Sequence, residues 1–119
     1  MVSLGTQYNG ASFPEEAGMA VPRDELGEIA TRVIFENERV RIWNLIVDPG
    51  ESSDWHLHQN DYITIAIEGE GLRLELEDGT SSWQTQEPGK LQWHGEHTVH
   101  RVVNTTDTRY KNVLVELLG

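Results

Sequence analysis

Gly50-Glu51-Ser52-Ser53-Asp54-Trp55-His56-Leu57-His58-Gln59-Asn60-Asp61-Tyr62 follows directly on Pro49 and carries two histidines one residue apart. On an extended strand residues i and i+2 project to the same face, so both imidazoles can reach one point. Neutral imidazole is a good ligand for zinc, iron, nickel and copper ions. An isolated His-x-His is as readily two strand histidines facing water, and a third histidine on a pairing strand changes the balance. The chain has five histidines, and the other three, His94, His97 and His100, fall in one further short segment. Histidines scattered over a surface would not cluster in this way. His100 sits in the run 99–104, which can lie opposite the first segment if the strands close around a common interior.

Outward from this stretch, short apolar runs alternate with turn signals about every ten residues, the spacing of a sandwich or barrel. The runs 31–36 and 39–48 flank Asn37-Glu38 as a hairpin, and Pro49-Gly50 supplies the next turn, proline fixing φ and glycine accepting a positive one. A strand is expected over 61–68, closed by Gly69-Glu70-Gly71. Leu72, Leu74 and Leu76 alternate with Arg73, Glu75 and Glu77, giving one buried and one wet face. Asp78-Gly79 is a hairpin dipeptide. The runs 81–86, 91–94, 99–104 and 109–118 complete the set, with Pro88-Gly89 and 105–108 as turns. Nothing after residue 31 has helical periodicity. Residues 1–30 are rich in Gly, Pro, Ala and Glu without a period. The expectation is an irregular N-terminal arm over 1–30 and an all-β, antiparallel domain over 31–119.

Two spaced motifs carry a family resemblance. Gly50-x5-His56-x-His58-x3-Tyr62-x6-Gly69 resembles the first cupin motif, G-x5-H-x-H-x3,4-E-x6-G. Gly89-x5-Gly95-x-His97-x2-His100-x3-Asn104 resembles the second, G-x5-P-x-G-x2-H-x3-N, and 19 residues separate the two. The resemblance implies a small cupin-type β-barrel, a double-stranded β-helix or jelly roll. It also implies one divalent transition metal (Fe, Zn, Ni or Mn) on His56, His58 and His100. Asp61-Tyr62 after His-x-His is similar to a set of small single-domain cupins, some named for β-alanine degradation, from which only the metal-site expectation is taken.

Three positions depart from the pattern. Gly95 and His97 replace a proline and a glycine in a turn. Tyr62 stands where the family usually has a metal-binding glutamate, leaving three imidazoles and one fewer negative charge. Its phenol keeps the inward parity of His58, but ligation requires removal of a proton with an ordinary pKa near 10. Tyr62 is therefore read as lining the pocket and donating a hydrogen bond to a ligand. Asp61 should point outward on a regular strand, and only a bulge at 59–61 would turn it into a ligand. His97 is a ligand, an acid/base at the pocket mouth or a solvated side chain. His94 has the parity of His100 but lies six residues earlier, across a turn, and reads as structural.

Further pocket residues follow from parity and proximity. Thr64 and Ala66 share the parity of Tyr62, and their small side chains leave room inside a barrel. Of the four tryptophans, Trp55 precedes the first ligand and Trp93 lies near the second cluster. Tyr62, Thr64, Trp55 and Trp93 are thus the substrate-binding candidates, and Tyr62 and His97 the candidates for proton transfer. Trp43 and Trp83 read as packing residues, and Arg41 and Arg101 as partners of surface carboxylates.

Composition narrows the function. At 119 residues the chain has length for one core. A formal charge of −11 repels a phosphate backbone, which argues against nucleic acid. No apolar run approaches membrane-spanning length. The absence of cysteine excludes thiolate ligands and leaves histidine, carboxylate, tyrosine or backbone. Residues 1–10 lack the basic and apolar regions of a secretory leader, so a cytoplasmic setting is expected. Two readings of the function remain. One is a metal-dependent enzyme acting on a small organic metabolite, by dioxygenase or by isomerase or lyase-type chemistry. The other is a non-catalytic module that binds metal and a small ligand. The edges of a small barrel and the arm before Thr31 both invite a partner, so a homodimer is expected.

Overall fold

The computed structural model describes residues 21–119. Residues 1–20, most of the expected arm, lie outside the described residues. Strands form where the sequence alternates: β1 Arg32–Glu36, β2 Val40–Val47, β3 His56–Leu57, β4 Tyr62–Glu68, β5 Gly71–Leu76, β6 Ser81–Thr85, β7 Leu91–His94, β8 Val99–Val103 and β9 Tyr110–Leu117. A 3-10 turn, Arg23–Glu25, precedes them. No helix among the described residues is long and apolar enough to cross a membrane.

The strands pair antiparallel in two sheets, one in the order β1-β2-β9-β4-β7 and one in the order β3-β8-β5-β6. The expected barrel is realised as two sheets, neither closed on itself among the described residues, because β1 and β7 leave one sheet open and β3 and β6 the other. The glycine that ends the first motif explains itself here. Gly69 has φ of +110°, and a Cβ on it would lie 2.8 Å from the Tyr110 Cα.

Alternation decides which side chains meet between the sheets. Along β9, Tyr110, Asn112, Leu114 and Glu116 are buried while their neighbours are half-buried. On β4 Tyr62, Thr64 and Ala66 are likewise buried, with Ile63 and Ile65 half-buried between them and Ile67 exposed. Trp43, Leu45, Val47, Leu72, Tyr110 and Leu114 form the apolar core, and Ala30 is buried within it. The segment before β1 is therefore part of the packing: Gly27 N–H donates to the Trp55 carbonyl at 2.8 Å, and Arg23 pairs with Glu77 at 2.9 Å.

The asparagine that ends the second motif is a structural tie. Asn104 is completely buried, and its Nδ2 donates to the carbonyls of Val47 and Thr108, both at 2.8 Å. Its Oδ1 accepts from Thr106 N–H at 2.9 Å and from the Thr106 hydroxyl at 2.7 Å. One side chain thus fastens the end of β2, the turn after β8 and the approach to β9.

Candidate metal centre

His56 and His100 face each other as register partners on β3 and β8. His58, one residue past the end of β3, keeps the inward direction and is buried like the other two. Ring centroids lie 4.6 Å apart for His56 and His100, 4.9 Å for His56 and His58, and 5.2 Å for His58 and His100. One nitrogen from each of the three falls within 4.8 Å of the others.

The surroundings hold these rings neutral. Burial lowers the pKa of all three below the usual histidine value, to about 2 for His58 and about 3 for His100, and the neighbouring imidazoles add to both shifts. Metal ligation requires this state, since the lone pair must be free of a proton. His56 Nδ1–H donates to the Asp54 carbonyl at 2.7 Å. That bond fixes the tautomer and leaves Nε2 as the lone-pair donor. His58 Nδ1 is buried without a hydrogen-bond partner among the described residues. A buried polar atom left unpaired is unfavourable, and an orphaned imidazole nitrogen in a cluster of three is what a metal ion would satisfy. The residues fit a divalent ion.

Tyr62 lies between two imidazoles. Its ring stacks on His58 with centroids 3.8 Å apart and an interplanar angle of 14°, and on His94 at 4.5 Å and 8°. Burial, with the charge of Glu96 behind it, pushes the phenol pKa well above its ordinary value. The hydroxyl therefore keeps its proton at neutral pH and has the character of a donor. His94, paired directly with Tyr62 across β4 and β7, is hydrogen-bonded to the Thr64 hydroxyl at 2.9 Å. Burial lowers its pKa as well.

These side chains line a cavity of about 430 Å³ between the sheets, a volume suited to a small molecule. His56, His58, His100, Tyr62, Thr64 and Trp93 all contribute to its wall. Trp93 is largely exposed and sits at the mouth. Trp55 is placed differently: half-buried, it packs under the Arg101 guanidinium, 4.8 Å from the ring centroid, away from the cavity lining. His97 is also outside the lining, although its neighbours Glu96 and Thr98 belong to it. It is exposed and pairs with the outward-pointing Asp61 at 3.1 Å, which places both residues on the rim. Arg41 bonds Glu36 and Glu116, and Arg101 bonds Glu75, so both arginines serve carboxylates.

Several lining residues escaped the reading of the sequence. His94 had the right parity, but only the β4–β7 pairing sets it against Tyr62. Gln86 and Gln92, joined by a 2.7 Å hydrogen bond, and Asn112 also line the cavity. Amide side chains on strands carry no spacing signal. Only the inward parity of Asn112 with Leu114 could have pointed to it.

The fold and the site together define a single-domain, two-sheet β protein with a buried three-histidine cluster able to coordinate a metal. The cupin domain family matches residues 43–116, and the chain belongs to it. Among solved structures, a cupin domain protein from Bordetella pertussis is 27% identical with a TM-score of 0.67, covering 87% of this chain and 98% of its own. A Klebsiella pneumoniae protein with a double-stranded β-helix domain is 20% identical with a TM-score of 0.59, over 73% of this chain and 74% of its own. A polyketide cyclase from Streptomyces resistomycificus shares the fold at 16% identity and a TM-score of 0.58, over 83% and 78% of the two chains. No curated protein matches the chain in sequence.

Proposed function

We propose that this cupin is a metal-dependent enzyme acting on a small organic molecule, with His56, His58 and His100 as the protein ligands of one divalent ion. The observation that carries the reading is the set of three buried, neutral imidazoles within 4.8 Å of one another in the wall of a cavity. Three protein ligands leave coordination positions for water or substrate, as a catalytic site requires. An ion held there would supply Lewis acidity toward a carbonyl or a water molecule or, for a redox-active metal, reactivity toward dioxygen.

The chain's own residues do the rest. Tyr62, fixed between His58 and His94, offers its phenolic proton to a polar group of the bound molecule. Thr64 and His94 hold each other in place beside it. Glu96 and the Asp61–His97 pair stand at the rim, where His97 is the second candidate for carrying protons between the cavity and solvent. Trp93 covers the mouth, and aliphatic side chains exclude water below.

Protein purified without a histidine tag should carry close to one transition-metal ion per chain by elemental analysis, and each metal form should then be screened for turnover of small metabolites. Absence of metal, together with no binding on titration at neutral pH, would overturn the reading. A ligand retained unchanged by the metal-loaded protein would identify a binding module instead.

The same reading includes a homodimer. β1 exposes Val33, Ile34 and Phe35 and is an edge strand among the described residues, and an apolar edge is a template for a further strand. Light scattering at micromolar concentration should give twice the chain mass of 13.5 kDa, and a monomer mass would count against it.

A further inference from the structure

We propose that the cavity accepts an elongated, mostly apolar molecule, uncharged beyond the group at the histidines, whose far end donates a hydroxyl or N–H hydrogen to Asn112 Oδ1. Placing the reacting end at the histidines rests on the metal reading; the recognition of the far end stands on other residues.

The cavity has two unlike ends. Tyr62, against His58, is the register partner of Glu116, whereas Ala66 on the same strand is the partner of Asn112. Four residues of extended chain separate these rows, about 13 Å at roughly 3.3 Å per residue. Between them Leu72, Val102 and Leu114 line the wall beside Thr64 and the Gln86–Gln92 pair, whose amides bond each other, and Leu45 stands opposite Asn112. No lysine or arginine lines the cavity among the described residues, and the one charged lining side chain is Glu96. An anionic group placed away from the histidines would meet no counter-charge and would lose its hydration, a costly transfer.

Asn112 sets the polar requirement. It is 3% exposed, and its Nδ2 donates to the Tyr110 hydroxyl at 3.0 Å. With Nδ2 so engaged, Oδ1 is buried with no partner among the described residues. A buried unpaired acceptor is expensive in an empty site and selective in a filled one, because a ligand lacking the donor leaves it unpaired.

Two probes of one skeleton test this: 2-naphthol and 2-methoxynaphthalene, titrated by calorimetry into wild type stripped of metal by a chelator. The naphthol should bind about tenfold more tightly than its methyl ether. In Asn112→Leu the naphthol and the ether should bind alike. Equal binding of the two by wild type, or a tenfold preference surviving in Asn112→Leu, would overturn the proposal. Should Asn112→Leu fail to fold, the side-chain amide resonances of Asn112 in wild type decide: they should move with naphthol and stay with the ether, and equal response to both would overturn it. Because the protein is metal-free, these outcomes do not depend on whether the histidines hold an ion, which metal titration of the same preparation reports separately.

Discussion

His100→Ala should lose stoichiometric metal, whereas Tyr62→Phe should keep it. Only three imidazoles converge in this site, and Asp61, the carboxylate beside Tyr62 in sequence, points outward to His97. Removing a ligand should therefore weaken metal binding by more than the 10–100-fold typical of losing a residue that merely orients one. The ion binds the folded chain alone, so stability falls in step; at metal concentrations about a hundredfold above Kd that contribution is about 2.7 kcal/mol. The melting temperature of wild type should thus rise when metal is added, and that of His100→Ala should not. Tyr62→Phe deletes a hydroxyl and preserves the ring that stacks on His58 and His94. Its stability should drop by about 1 kcal/mol or less, and its metal content should match wild type while turnover or ligand affinity falls. Equal loss of metal in the two variants would make the phenol oxygen a fourth ligand and overturn its assignment as a donor.

Much of this architecture is legible in the sequence because alternation and turn chemistry are local. Leu72 is buried and Arg73 exposed, as the pattern dictates, and Asp78-Gly79 turns β5 into β6. The histidine cluster is legible because two strand histidines of one parity need only one partner strand, and β8 supplies it with His56 opposite His100. What the sequence conceals depends on longer-range pairing. His94 reads as structural until β7 lies beside β4 and sets it against Tyr62. Trp55 adjoins a ligand in sequence but, being one residue out of phase with His56, faces Arg101 on the other side of the sheet. The acceptor on Asn112 emerges only when the hydrogen bonds of its neighbours are counted. Glu116 is a similar case: a glutamate near the end of the chain is an ordinary surface residue by composition, yet it is buried, accepting from Trp43 Nε1 at 3.0 Å and Asn60 Nδ2 at 2.8 Å.

Acidification from pH 7 to pH 5 should destabilise the metal-free protein by several kcal/mol. In the unfolded chain a histidine binds its proton near pH 6.5, whereas in the fold His58 does so only at about 2 and His100 at about 3. Below about 6.5 the unfolded state therefore takes up protons that the folded state refuses, and stability falls as pH falls, down to the folded pKa values. Both rings are nearly inaccessible, 2% and 7% exposed, so solvent screens the effect little. Each approaches a slope of about 1.4 kcal/mol per pH unit below pH 6.5, and the two together lose roughly 3 kcal/mol between pH 6.5 and pH 5. His56 and His94, also lowered by burial, act in the same direction. Relief of repulsion within a chain of formal charge −11 works the opposite way, but ordinary carboxylates titrate near pH 4, below this window. Denaturant midpoints of chelator-treated protein at pH 7, 6 and 5 measure the slope, and His58→Gln should flatten it by about 1 kcal/mol per pH unit over this range. In the metal-loaded protein the folded site still refuses protons on His58 and His100 over this interval, so the metal should stay bound and the same slope should appear displaced to higher stability. A midpoint that does not move between pH 7 and pH 5 would mean that the three imidazoles are not held neutral by burial, and the electrostatic basis of the metal site would go with it.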